Sequence, residues 1–415
     1  MSFDDALLTE IRDRFAHVER CPFTGERIFF ENAGGALTLN EVVETSARLA
    51  AIPDNQGRDN PASHALVEVI AQAREDVRTF FDAPGGAVVF GESGTELLFR
   101  LIRDACLGAA PGPVVGSTVE HPASRSACAR WAGESGRAHI LIPHDDATGR
   151  VTAEAYAAAL PADAAVVTVL HTSPVTGISM DLPAITRVIR ERAPGALIVV
   201  DGIQHACHGG ISLAQADVDG YVISPYKVFS RHGYGVAWAS DRLTALAHDS
   251  LVGGPAHQWE LGTRDTGAYA TFSDVVSYFD WLGGQVSEAG DRRARIEAAA
   301  AAIHAHETAL TQAMLQGTDN LPGLASLPGV KVIGGIENAA REGLVSFWSS
   351  ARPSPEIVAE LNARGIRTHL RKADHYSGNI LEPLGQADCI RVSMAHYNSL
   401  AEVRAFLDAM RSILN

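Results

Sequence analysis

The chain is poor in cysteine. Cys21, Cys106, Cys128, Cys207 and Cys389 are its five cysteines in 415 residues, and no two form a Cys-x-x-Cys pair. That scatter excludes a zinc ribbon and a disulfide frame and fits reduced thiols in a cytoplasmic protein; no metal site is expected. No apolar stretch approaches the ~20 residues a membrane-crossing helix needs. The opening Met-Ser-Phe-Asp-Asp carries acids and no apolar run, so no signal peptide is expected. Basic charge is in deficit as well. With 34 Lys+Arg against 49 Asp+Glu the net charge is −15, which does not favour nucleic acid or anionic membrane as partners. There is no internal repeat and no low-complexity tract. No Gly-x-Gly-x-x-Gly follows an early strand, which sets aside a nucleotide-binding dehydrogenase.

What is present is a large apolar fraction, 46%, and a regular alternation of elements. The length suits two or three domains, or one large and one small. Residues 3–20 read as an amphipathic helix with Leu7, Leu8, Ile11 and Phe15 on one side, and 27–30 as a short strand. Apolar strands follow at 87–90, 113–115, 164–170, 196–201, 220–223 and 233–238, with helices between several of them, as at 63–81 and 181–192. Continuous apolar strands alternating with helices predict an α/β domain built on a mostly parallel, doubly wound sheet. Residues 251–266 are Gly-rich and irregular. Beyond a long helix at 291–315 the elements shorten. The last helix sets Val403, Phe406, Leu407, Met410 and Ile413 on one face. The expected organisation is an N-terminal helical segment (1–26), a large α/β domain (27–285) and a small C-terminal α+β domain (286–415).

The chemistry gathers at Tyr221-Val222-Ile223-Ser224-Pro225-Tyr226-Lys227. Ser224 and Pro225 stop a buried strand, so Lys227 falls on the turn past its carboxyl end, where open α/β sheets place ligands. An amine there can form a Schiff base with an aldehyde cofactor, whereas an isolated lysine is ordinarily solvated. Upstream, the strand 196–201 ends in Asp201. Pyridoxal phosphate needs both groups, a lysine for its aldehyde and an acid for its ring nitrogen. Gly91-Glu92-Ser93-Gly94-Thr95-Glu96 opens a helix and reads either as an anion site or as an N-cap. In Glu31-Asn32-Ala33-Gly34-Gly35 the glycines permit close backbone approach. His121 is either a capped surface residue or an imidazole laid on a cofactor ring. The stretch with Arg371, Lys372 and His375 is either a solvated loop or a contact for a second polar or anionic group on the substrate.

In this order the residues resemble the class V aminotransferase family of pyridoxal-phosphate enzymes, fold type I, in its cysteine-desulfurase-like branch. The resemblance runs from about residue 27 to the C-terminus. It rests on Ser93-Gly94-Thr95-Glu96, Glu120-His121, Asp201-Gly202-Ile203-Gln204, Ser224-Pro225-Tyr226-Lys227, Gly262-Thr263 and Arg391-Val392-Ser393-Met394-Ala395-His396-Tyr397-Asn398. It implies a large, mostly parallel sheet of the seven-stranded kind, a homodimer with shared active sites and pyridoxal 5'-phosphate as cofactor. By the same resemblance Lys227, His121 and Asp201 are catalytic, with His121 stacked on the ring and Asp201 on its nitrogen. Ser93, Gly94, Thr95, Gln204, Ser224, Tyr226, Gly262 and Thr263 hold the rest of the cofactor. Arg391 takes the substrate carboxylate, with Asn32, Arg371 and His375 around the substrate.

Three departures shape the expected reaction. The loop 365–388 lacks the nucleophilic cysteine of the desulfurases. Tyr226 stands where the family has histidine, and Pro174 where many relatives have asparagine. The expectation is therefore action at Cα of a small amino acid through Lys227, by transamination or C–X (β-elimination) lysis. Cysteine desulfuration, selenocysteine lysis and epimerisation are the alternatives. The non-enzyme alternative is a catalytically silent cofactor-binding relative, and the joint presence of Lys227, Asp201 and Arg391 speaks against it. The substrate itself is not written in the sequence.

Overall fold

Seven short apolar strands pair into one sheet: β1 (Ala87–Gly91), β2 (Val114–Ser117), β3 (His139–Ile142), β4 (Val166–Leu170), β5 (Leu197–Asp201), β6 (Gly220–Ile223) and β7 (Gly235–Ala239). In the computed structural model, which describes residues 3–255, 258–318 and 321–414, their order is β1-β7-β6-β5-β4-β2-β3. β3, β2, β4, β5 and β6 are parallel, and β7 runs antiparallel to both β6 and β1. Every residue of β4 to β7 is buried, which is why these strands read as unbroken apolar runs. The helices Gly94–Gly108 and Pro122–Glu134 cover one face through Leu97, Leu101 and Ala127. Pro61–Phe81, Leu182–Arg192, Thr266–Val286 and Arg292–Gln316 build the core of the other. Among the described residues no helix is long and apolar enough to cross a membrane.

A second, antiparallel sheet forms the C-terminal unit: β8 (Val330–Val332), β9 (Leu344–Ser349), β10 (His369–Lys372) and β11 (Asp388–Ser393), in the order β8-β9-β11-β10. Helices Ser354–Ala363 and Leu400–Leu414 pack on it around Phe347, Ile390 and Phe406.

Four stretches differ from the sequence reading, one of them the edge strand β3, which it did not place and which is only partly buried. The first helix spans only Asp5–Asp13, with Arg14 as its C-cap, and the left-handed φ of 59° at His17 keeps the chain from resuming it. Phe15 turns instead into a ring cluster with Phe229, Tyr278, His396 and Tyr397. The strand at Ile28–Phe29 does not join the large sheet. It pairs in parallel with Ile366–Arg367, and Phe30 packs on Phe406, so the segment expected to open the large domain completes the small unit. Finally, Thr266–Val286 is a 21-residue helix that the sequence reading did not place, although Tyr269, Phe272, Val276 and Phe279 recur at helical spacing. It packs against both Pro61–Phe81 and Arg292–Gln316 and is apolar over most of its circumference.

Candidate active site

Parallel pairing brings the carboxyl ends of β5 and β6 side by side, with Asp201 opposite Val222. Ser224 and Pro225 then start one tight turn, Pro225–Lys227, which folds Lys227 back over the strand ends. Its side chain is 8% exposed, and Nζ lies 3.4 Å from Gln204 Oε1. Burial pulls the amine down to about 8, Arg391 adds to the shift, and Asp201 opposes it. Asp201 is fully enclosed. Burial pushes its carboxyl up to about 6 against the amide of Ile203, which donates to Oδ1 at 3.1 Å, and against Lys227. Glu120 is a second enclosed acid in the field of the first; burial, then Asp201, pushes it up to about 8.

The helix Gly94–Gly108 points its N-terminus at the same turn. Ser93 caps it, with Oγ accepting from the Glu96 amide at 3.1 Å. A Cβ on Gly94 would lie 2.4 Å from Ser224 Oγ and 2.8 Å from Ile203 Cδ1. Only glycine therefore lets the helix end come this close, leaving the Gly94 and Thr95 amides at the head of the dipole. Ser224 is buried and Thr95 is exposed. The cap and anion-site readings of this turn thus describe the same residues.

His121 caps a helix, as one of its readings has it, but is half-buried rather than at the surface. Nδ1 caps the helix Pro122–Glu134, accepting from the Ala123 amide at 3.2 Å, while the ring sits 5.9 Å from that of Tyr376. Burial, then the charges of Lys227, Arg371 and Arg125, pull it down to about 3, so the imidazole is neutral. A neutral ring, a buried amine, an enclosed acid and a glycine-lined helix end form a donor set that suits a phosphorylated pyridine aldehyde.

Arg391 enters from β11, opposite Ser346 of β9 and His369 of β10. It is 3% exposed, Nη1 donates to Pro174 O at 3.0 Å, and Nε has no partner. Burial, then Arg371, pulls the guanidinium down to about 9. Gly34 lies directly against it, a Cβ there coming 3.6 Å from Nη2. Arg371, on β10, is half-buried with Nε also unpartnered, and its guanidinium lies 6.0 Å from the Tyr376 ring.

Five residues are placed apart from this group. Asn32 has both ends of its amide engaged internally: Nδ2 donates to Ser393 O at 2.8 Å, and Oδ1 accepts from Tyr397 Oη. His375 is exposed, and its carbonyl accepts from Arg125. Gly262 and Thr263 are exposed on the segment before Arg264, which pairs with Glu92. Tyr226 is half-buried and stacks on His232 at 4.4 Å.

Sequence reasoning missed a set of enclosed histidines and acids behind the turn. His205 Nδ1 lies 2.6 Å from Glu342 Oε1 and His208 Nδ1 2.7 Å from Glu307 Oε2, while His171 stacks on His205 at 3.6 Å. His205 directly follows Gln204 and His208 comes three residues later, which was the one local signal. Nothing near Glu307 or Glu342 in the chain marks them as buried.

The family model described as aminotransferase class V matches residues 28–406. The chain is 28% identical to the cysteine desulfurase-like protein ustD of Aspergillus flavus, over 94% of this chain and 88% of that one. It is 27% identical to the nonribosomal peptide synthetase-like enzyme fsqF of Aspergillus fumigatus over 93% of this chain, which spans only 25% of that protein. Among solved structures, the apo cysteine desulfurase of Thermococcus onnurineus superposes with a TM-score of 0.79 at 22% identity, covering 96% of this chain and 97% of that one.

Proposed function

The chain belongs to the aminotransferase class V family and has pyridoxal-phosphate fold type I, and on that premise we propose a pyridoxal-phosphate enzyme that acts at Cα of a small amino acid by transamination or C–X lysis. One observation carries the reading. Lys227 is an enclosed amine with its pKa pulled down to about 8, set against Gln204 and in the field of Asp201 and Arg391. A lysine in that state is partly unprotonated near neutral pH and has a nucleophilic lone pair.

When bound, pyridoxal phosphate supplies an aldehyde for amines and a ring that withdraws electrons from Cα. The chain's own residues do the rest. Lys227 would hold the aldehyde carbon and carry the proton at Cα. Asp201 would hold the ring nitrogen, Gln204 the phenolic oxygen and His121 the ring face. Ser93, Gly94, Thr95 and Ser224 take the phosphate, with Tyr226 beside them. Gly262 and Thr263, exposed on this chain, reach the phosphate of a second copy in a homodimer. Arg391 holds the substrate carboxylate, and Arg371 with His375 faces the substrate side chain. Asn32 contributes by supporting the Gly34 backbone against Arg391.

The thiol inventory supports transamination or lysis over desulfuration. Cys389 is fully buried on β11, and burial pushes its thiol up to about 12 despite Arg371 and Arg391. A thiolate is the nucleophile in persulfide chemistry, and none is available there. All five cysteines are free and buried, as suits a cytoplasmic protein.

The test is a spectrum and a mass. Purified protein supplied with pyridoxal phosphate should gain a visible absorbance band that borohydride removes, and the reduced adduct should map to Lys227. An adduct on Lys372 or Lys331 would overturn the reading. Amino acids that shift the band, assayed for keto acid and for ammonia, then separate transamination from lysis.

A further inference from the structure

Behind Gln204 runs a line of buried polar groups that the roles above leave unused. One end of the Gln204 amide lies 3.4 Å from Lys227 Nζ, and the other 3.1 Å from His208 Nε2. His208 Nδ1 in turn meets Glu307 Oε2 at 2.7 Å. Gln204, His208 and Glu307 are each at most 2% exposed. The line starts on the turn after β5 and ends on the helix Arg292–Gln316, so it ties the floor of the site to an element that otherwise takes no part in it.

An amide has a donor end and an acceptor end, and a half-turn exchanges them at almost no cost in space. The proton on His208 decides which end faces which neighbour. With Nε2 bare, His208 accepts from the amide NH2, and the amide oxygen faces Lys227. With N–H at Nε2, His208 needs the amide oxygen, and the NH2 faces Lys227 and the space above it.

We propose that His208, anchored by Glu307, is a positioning residue whose Nε2–H turns the Gln204 amide so that its NH2 faces Lys227 and any anionic oxygen bound beside it. The ground is burial. An imidazole–carboxylate pair without an extra proton is a lone negative charge in the interior, which is strongly disfavoured. One added proton makes the pair neutral, and in either arrangement of that proton Nε2 carries hydrogen. The other titratable groups around the pair are Glu342, Cys207, His396 and Tyr397. Glu342, itself buried, makes a second negative charge on Glu307 still less favourable. Burial raises Glu307. Burial alone would lower His208, but Cys207 and Glu307 raise it well above its ordinary value. Both directions leave the proton on the pair.

A donor facing Lys227 disfavours its ammonium form, so removing the anchor frees the amide to present oxygen and stabilise that form. The proposal concerns the site of the function proposed above, but its test uses cofactor-free protein, so either can fail alone. Competitive acetylation across pH 6–11, read by mass spectrometry at Lys227, gives the amine's midpoint. His208→Phe should raise that midpoint by about half to one unit, the size of one net hydrogen bond. In a Gln204→Ala background the same change should shift nothing. An unchanged or lowered midpoint, or a shift that persists without Gln204, overturns the proposal. If His208→Phe does not fold, the 15N resonance of His208 Nε2 in histidine-labelled wild-type protein decides. A protonated nitrogen at neutral pH supports the proposal, and a bare one ends it.

Discussion

Cys389 and Cys21 form a matched pair for testing whether thiol chemistry belongs in this site. Cys389 is pushed up to about 12 by burial. Cys21, in the hairpin Arg20–Cys21/Gly25–Glu26, is drawn down to about 7, first by the Thr24 hydroxyl and then by the amides of Phe23 and Thr24. At pH 7.5 those values leave about three-quarters of Cys21 as thiolate and about 3 × 10⁻⁵ of Cys389, a ratio of roughly 10⁴. A thiolate of lower pKa is less nucleophilic, and a Brønsted slope near 0.5 over five units returns a factor of about 300. The population term wins by nearly a hundredfold, before packing is counted: both thiols are buried, but Cys21 keeps 9% exposure and Cys389 none. The assay is pulsed alkylation of native protein with iodoacetamide at pH 7.5, with peptide mass spectrometry of each cysteine. Cys21 should be modified first and Cys389 only on unfolding, together with Cys106, which is also pushed up to about 12. Protein incubated with free cysteine should carry no persulfide on Cys389, and Cys389→Ser should keep its turnover of other amino acids. Alkylation of native Cys389 within tenfold of Cys21, or a stoichiometric persulfide on it, would refute the reasoning and restore desulfuration.

Four further outcomes follow from the site. Asp201→Asn should retain cofactor but lose at least about 100-fold in kcat, because a neutral amide no longer holds the ring nitrogen's proton; near-normal turnover would show that the nitrogen is held otherwise. Arg391→Ala should cost at least about tenfold in kcat/KM for every amino-acid substrate through loss of a bidentate carboxylate contact, and an effect confined to one substrate would place the carboxylate elsewhere. Lys227 titrates at about 8 folded against the ordinary 10.5, so its buried charge penalises the folded state below about pH 8, and the penalty fades as pH rises to 10.5. Lys227→Met should therefore stabilise cofactor-free protein at pH 7 by up to about 3 kcal/mol and gain little near pH 10.5; parallel denaturation curves at both pH values would contradict this. If Thr263 serves a second copy, Thr263→Ala should weaken cofactor retention and activity should fall on dilution below the dimer's dissociation range, whereas full activity in a sedimenting monomer would exclude a shared site.

The central sheet was legible because both of its faces are covered. Val166–Leu170 is apolar but for Thr168, and Leu197–Asp201 is apolar at every position but the last, where Asp201 marks the carboxyl end of the strand. Lys227, Asp201 and Arg391 were legible for the same reason, since each sits where an apolar run stops or is interrupted. Thr266–Val286 was passed over although Tyr269, Phe272, Val275, Val276, Phe279 and Leu282 line one face at helical spacing. Asn32 misled because its place beside two glycines says nothing of Ser393 and Tyr397, more than 360 residues away, which occupy its amide. Glu307 lies on an alanine-rich helix, where no neighbouring residue marks it as buried. Its burial against His208 is set by the packing of distant segments.

The strap formed by Ile28–Phe29 has a consequence for how the protein is made. Its partner Ile366–Arg367 and the anchor of Asn32 at Ser393, 361 residues on, are synthesised long after it. At a synthesis rate of ~5–20 residues per second the strap waits roughly 20–70 s for them. Throughout that interval Phe29 and Phe30 have no permanent burial place, and the backbone of Gly34 has no Arg391 to lie against. The large sheet can assemble on the ribosome as its strands emerge, but the substrate-facing half of the site closes only when the last strand reaches back to the first residues made. Nascent chains stalled before Ser393 should accordingly display an apolar N-terminal segment to chaperones while already owning a folded central sheet.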